Sequence, residues 1–225
     1  AEWVNAIGAP YQNADEVAAH PDLIIKRQLA DRINAELGDL VLKITNDPEE
    51  AKAEWYNHVR FLSAGFRVPQ PAVGGLLKDG RGLFATVRLK NQYPMDDVWR
   101  TLDRRRAVIA VADLARRLHL CSLVHKDLYL CHMFVEKGGD ELSLIDLARV
   151  ERTRSKRLRV KDLAALVHSS RGLASRTDLM RGLKRYGGDK KLARRVLKKA
   201  ARIARHVPKN VRDRTHVPHT PCTSE

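Results

Sequence analysis

Several things are missing from this chain, and each absence narrows what it can be. No run of eighteen apolar residues occurs, which excludes a membrane-spanning helix. The three cysteines, Cys121, Cys131 and Cys222, form no CxxC pair and no disulfide framework; they read as ordinary thiols of a reduced, cytosolic protein. Aromatics are scarce at 5%, and residues 151–225 hold no aromatic cluster of the kind that stacks single-stranded bases. No GxGxxG lies between Asp22 and Arg32, so any phosphate bound by this segment has to be covered by backbone without those glycines. The chain begins Ala-Glu-Trp with no charged-then-apolar leader, so a secretory signal is expected to be absent or already removed.

Acid is also missing, but only from one end. Residues 1–150 hold 20 basic and 21 acidic side chains, whereas residues 151–225 hold 22 basic and 6 acidic. The whole net charge of +15 therefore lies in the last third, which points to a surface for an anionic partner: nucleic acid, phospholipid head groups or a polyanionic glycolipid. At 225 residues, the chain can build one large domain or two lobes.

The pattern of residues predicts a small sheet followed by helices. Residues 1–20 read as an irregular or amphipathic lead-in. Asp22–Ala30 reads as a strand; Arg32–Leu37 and Leu40–Thr45 form a hairpin about Gly38-Asp39. Asn46-Asp47-Pro48-Glu49-Glu50 is a helix start, with a capping side chain, proline in the first turn and acids at the positive end of the dipole. Trp55, Val59 and Leu62 continue that helix, and Gly65 closes it. Ala72–Leu77 and Leu83–Leu89 add strands, and Lys90–Met95 reads as a hinge. Asp96–Leu120 has the period of one long helix, with Val98, Leu102, Ile109, Ala112 and Leu118 as its apolar stripe. Val160–Arg205 reads as helical with breaks at Gly172 and Gly187-Gly188, and the tail from Val207 reads as loose. The expected organisation is an N-terminal lobe over 1–90, a C-terminal lobe over 91–206 and a flexible tail over 207–225.

Within this frame the segment Leu123–Val150, LVHKDLYLCHMFVEKGGDELSLIDLARV, carries the chemistry. Phosphoryl transfer needs a lysine on the nucleotide phosphates, an acid to hold it, a base for the acceptor hydroxyl and an acid for Mg²⁺. The chain supplies these in order. Lys43 sits on the third strand, although a lone strand lysine more often points outward, and Glu54 follows eleven residues later on the helix. Asp127 falls in the loop after the long helix, and Asp146 ends the apolar run Leu142–Ile145. A hairpin turning at Gly138-Gly139 would return the second carboxylate to the first. Each residue alone reads as easily as a cap, a core histidine or a strand-end acid; the ordered set does not.

The string HKDLYLCHMF, followed by LSLIDLARV and RVKDLAALVHSS, closely resembles the lipopolysaccharide core heptose kinases and Kdo kinases, a branch of the protein-kinase-like fold. The matching motifs are His125-Lys126-Asp127, Tyr129, Cys131-His132, Ile145-Asp146-Leu147 and Lys161-Asp162-Leu163. The resemblance implies a two-lobed α+β protein-kinase-like fold, with a small antiparallel sheet plus helix and a larger, mainly helical lobe. It implies ATP and Mg²⁺ as cofactors, Asp127 as catalytic base, His125 as support for its loop, and Lys43 and Glu54 on the nucleotide. Asp146 with His132 would hold the metal, His132 standing where protein kinases place an asparagine. Asp162 would anchor the catalytic loop from the next helix.

The expected partners are a lipopolysaccharide core glycolipid and the anionic surface of the inner membrane, with the enzyme cytoplasmic and peripheral; the lack of stacking aromatics disfavours nucleic acid. Two rivals remain at this level: a protein or small-molecule kinase with the same machinery, and an inactive kinase-like protein that binds a polyanion such as nucleic acid.

Overall fold

The computed structural model describes residues 14–205. The expected tail and the first part of the lead-in, with Cys222, lie outside these residues. A short helix, α1 (Ala14–Ala18), precedes five antiparallel strands: β1 (Leu23–Leu29), β2 (Arg32–Leu37), β3 (Leu40–Thr45), β4 (Pro71–Leu76) and β5 (Gly82–Val87). Their order across the sheet is β1-β2-β3-β5-β4, so β3 lies at its centre. Alternation puts Ile33, Ala35, Leu42, Ile44, Leu83 and Ala85 on one face, where they bury Val17 of α1. The opposite face carries Lys43, paired across the strands with Asn34 and Phe84.

Helix α2 (Pro48–Ser63) covers that second face. Asp47 caps it by accepting from the Glu49 amide at 3.0 Å, with Pro48 in the first turn, as the sequence leads one to expect. Ala51 and Trp55 of α2 pack on Phe84. The approach is close: a Cβ on Gly82 would lie 2.8 Å from both Ala51 Cβ and Pro48 Cα. Any side chain there would push α2, and with it Glu54, away from the sheet.

The chain then crosses to a helical lobe. The segment read as a hinge contains a short strand, β6 (Gln92–Pro94), which pairs with β8 (Met133–Glu136) and so is pinned to the segment carrying His132. The expected single helix over Asp96–Leu120 is broken. Met95–Val98 forms α3, Trp99–Thr101 a 3₁₀ turn, Leu102 is extended, and α4 begins at Arg104 and runs to Leu120. Asp103 is the cause: its carboxylate accepts from the Arg106 amide at 2.9 Å and starts a new helix, while Leu102 turns into the core. The buried stripe of α4 is Ala107, Val108, Val111, Ala112, Ala115 and Leu118; Ile109 is only half-buried.

Two short ladders frame the loop that follows. β7 (Leu123–Val124) pairs with β10 (Glu151–Arg152), and β8 pairs with β9 (Ser143–Leu144) across the Gly138-Gly139 turn. The lobe is completed by α5 (Lys156–Ser169), α6 (Arg176–Tyr186) and α7 (Lys190–Arg205), with breaks at the two glycine positions read from sequence. Helix α7 packs along α5, and α6 along α4. One core runs from Phe61 and Phe66 through α4, the β7–β9 region and α5 to Val196 and Ala200. Among the described residues, no helix is long and apolar enough to cross a membrane.

Candidate active site

The site forms where the sheet, α2 and the β7–β10 region meet. Lys43 points inward, not to water: its Nζ donates to Glu54 at 2.7 and 2.9 Å and to Asp146 Oδ1 at 2.9 Å. Two carboxylates, 92 residues apart in sequence (146 − 54), thus share one ammonium. Glu54 is buried at 3% exposure, so its charge depends on that partner. Burial alone would pull Lys43 below its usual value, but the two carboxylates outweigh it and hold the lysine charged. Burial likewise works to raise the Asp146 carboxyl, and the charge and hydrogen bond of Lys43 reverse this and hold it at about 2. Beneath the pair, His58 donates through Nδ1 to the Glu54 carbonyl at 2.9 Å, and burial pushes its imidazole down to about 4, so it is neutral at pH 7.

Asp146 lies just past β9, not within a strand, at φ +59°; Lys126, the residue before Asp127, is at φ +70°. Non-glycine residues held in this region cost on the order of 1–3 kcal/mol each, and they persist where their surroundings over-determine them. Here they do. Asp162, fully buried on α5, accepts the His125 and Lys126 amides at 2.8 Å each and His119 Nε2–H at 3.2 Å. His125 is also fully buried; its Nε2–H donates to the Ile145 carbonyl at 3.1 Å, tying the Asp127 loop to the turn that presents Asp146. At 0% exposure His125 does not face solvent.

His132 donates through Nδ1 to the Asp127 carbonyl at 2.8 Å, leaving Nε2 toward Asp146 Oδ2 at 3.7 Å. An oxygen-rich partner suits Mg²⁺ better than an imidazole, and Mg²⁺ commonly rests on one or two carboxylates plus substrate phosphates. Asp146 meets that requirement with a carboxylate that stays ionised, and His132 is placed beside it. Among the described residues, no group of three or more His, Cys, Asp or Glu side chains forms a self-sufficient metal cage.

Some contacts had not been read from sequence. Asp127 Oδ2 accepts from Arg149 at 2.8 Å, and Lys161 Nζ lies 3.7 Å from Oδ1, so both oxygens of this carboxylate face cations. Burial and the nearby Arg149 draw Lys161 below its ordinary value against the pull of Asp127. Asn57, one turn beyond Glu54 on the same face of α2, donates to the Leu147 carbonyl at 2.8 Å and fastens α2 to the segment after Asp146. Its spacing of three from Glu54 was the available signal. The turn between β1 and β2 has no glycine; its Ala30 and Asp31 carbonyls accept from Asn46 Nδ2 and the Asn46 amide at 3.2 and 3.0 Å.

The lysine–acid pair, the anchored Asp127 loop and the Asp146 turn all lie within residues 39–186, which the family model of the lipopolysaccharide kinase (Kdo/WaaP) family matches. The chain belongs to the lipopolysaccharide kinase (Kdo/WaaP) family. That stretch holds all six residues singled out for the site. Among solved structures, the chain is similar to WaaP in complex with acyl carrier protein, at 23% identity and a TM-score of 0.69 over 84% of this chain and 91% of that one. It is similar to an aminoglycoside-3′-phosphotransferase of type VIII at 17% identity and a TM-score of 0.59, covering 81% of this chain and 95% of that one. It also resembles WbdD in a co-crystal structure with the kinase inhibitor LY294002, at 17% identity and a TM-score of 0.52, covering 81% of this chain and 50% of that one. These likenesses establish the two-lobed, α+β protein-kinase-like fold. No curated protein sequence matches the chain.

Proposed function

We propose that this member of the lipopolysaccharide kinase family transfers the γ-phosphoryl group of ATP to a sugar hydroxyl, on heptose or Kdo, of the lipopolysaccharide inner core. The observation that carries the reading is the convergence of Glu54 and Asp146 on the Lys43 ammonium, beside an Asp127 loop held by Asp162. Lys43, kept charged by its two acids, takes the nucleotide phosphates. Asp127 accepts the proton of the acceptor hydroxyl as that oxygen bonds to the γ-phosphorus; the bond to the β–γ bridging oxygen breaks and ADP leaves. Asp146, with His132 beside it, would hold Mg²⁺, which when bound offsets charge on the phosphate oxygens. His125 and Asp162 keep the loop in its strained conformation and act only through Asp127.

The reading places the enzyme in the cytoplasm, peripheral on the inner membrane, with the basic last third toward the anionic leaflet. The complex of WaaP with acyl carrier protein makes that carrier a partner to test here too. The test of nucleotide use is linkage. Mg-ATP at a hundredfold excess over its Kd stabilises a protein by about 2.7 kcal/mol, which is roughly 5–10 °C in Tm for a chain of this size. Asp146→Ala should remove most of that shift, and an intact protein with no shift would overturn the kinase reading.

A further inference from the structure

The excess positive charge is not spread evenly over the last third. Arg195, Lys198, Lys199 and Arg202 fall at i, i+3, i+4 and i+7 of α7, one face of the helix. Arg157 and Lys161, at i and i+4 of α5, line the same groove of about 370 Å³. Among the described residues, Leu158 and Val160 are its only uncharged lining. Helix α7 contains no acidic residue, and among the described residues no carboxylate forms an ion pair with Arg157, Arg195, Lys198, Lys199 or Arg202. These two helices line one groove with six cations, and a bound anion there would relieve their mutual repulsion. The sixth cation links the groove to Asp127. Lys161 lines it and also lies 3.7 Å from Asp127 Oδ1, so one of its six cations reaches that carboxylate.

We infer that the groove between α5 and α7 is an acceptor subsite, which seats a phosphate or carboxylate substituent of the glycan and thereby brings a neighbouring hydroxyl to Asp127. This rests on the phosphotransfer reading and adds to it that the acceptor must already be anionic. Arginine forks and lysine ammonium groups suit both oxyanions, and the groove is too polar for an acyl chain.

The test uses the full chain and three variants: Arg195→Glu, Lys198→Glu, and Arg116→Glu on the exposed side of α4, which makes the same change in net charge away from the groove. Binding of phosphorylated core oligosaccharide, freed of its acyl chains, is measured by calorimetry without ATP. In parallel, acceptor KM is measured with Mg-ATP for this oligosaccharide and for its phosphatase-treated form. Each groove variant should weaken binding of the phosphorylated form about tenfold or more, the size expected for a lost charge-assisted contact. Arg116→Glu should leave it unchanged. If the seated group is a phosphate, phosphatase treatment should raise KM for the unmodified protein and leave little further for the groove variants to lose; if it is a carboxylate, KM should stand and the groove variants should still raise it. Retention of the Mg-ATP Tm shift in each variant verifies that it is folded.

Equal losses in all three variants would show a diffuse field and overturn the subsite. So would groove variants that lose binding to phosphatidylglycerol vesicles while keeping acceptor KM, because the groove would then be a membrane face. Anion binding at the groove with no phosphate transfer by the unmodified protein would overturn the kinase reading but leave the anion site standing.

Discussion

Asp162 is the residue whose removal the structure converts most directly into a number. Its carboxylate, with 0% exposure, accepts two loop amides at 2.8 Å and the His119 ring at 3.2 Å. Alanine there strands three buried donors. Each stranded donor costs about 1–3 kcal/mol, so with some entry of water the total should be about 3–5 kcal/mol. For a chain of this length that lowers Tm by roughly 6–20 °C. Asparagine keeps the volume but turns one acceptor into a donor facing an N–H, for a loss of about 2–3 kcal/mol. Urea unfolding read by circular dichroism gives the stability. Lys43, Glu54 and Asp146 keep their mutual contacts in both variants, so part of the Mg-ATP shift should remain, while phosphate transfer falls further as the Asp127 loop relaxes. A loss below about 1 kcal/mol for alanine would refute the reasoning, since it would mean that the loop amides find other partners.

The remaining predictions address the other contacts. Lys43→Met leaves two carboxylates facing each other without their cation; it should destabilise by about 3–5 kcal/mol in urea and abolish the Mg-ATP shift in Tm. His58 titrates at about 4 in the fold against 6.5 unfolded, so the unfolded chain binds the extra proton between these values and stability falls as pH drops through this window, by about 3 kcal/mol at pH 4. Urea midpoints from pH 7 to 4 should therefore decline less steeply in His58→Gln than in the parent protein. Asn57→Ala strands the Leu147 carbonyl, and should cost about 1–2 kcal/mol and weaken Mg-ATP binding, measured by calorimetry.

Much of this was legible because local chemistry and final environment agree. The strand alternation through Thr45, the Asp47–Pro48 cap and the Gly138-Gly139 turn are local signals, and the structure keeps all three. The Asp96–Leu120 helix was misjudged because Asp103 sits beside three arginines and looks like part of a solvated face, yet its carboxylate is a cap. The β6–β8 pairing joins residues some forty apart and left no trace in either segment. Lys43 illustrates the same limit within the site. On a lone strand it reads as outward-facing, and only the arrival of Glu54 and Asp146 from elsewhere turns it inward. The contacts of Asp127 with Arg149 and Lys161 were hidden for a related reason: a cation in a basic run is anonymous until packing selects it. The charge asymmetry itself was plain in composition, but its concentration into one groove needs α7 to lie along α5.

The central claim is that Asp127 is the base for phosphate transfer to a core sugar. The direct measurement is transfer of labelled γ-phosphate from ATP to extracted core glycolipid by the intact protein and by Asp127→Asn, with folding of both verified by Tm. The account predicts transfer by the intact protein and a loss of about 10²–10⁴-fold in the variant, the usual contribution of a positioned general base. Equal transfer by the two proteins, or none to glycolipid by the intact one, would contradict it.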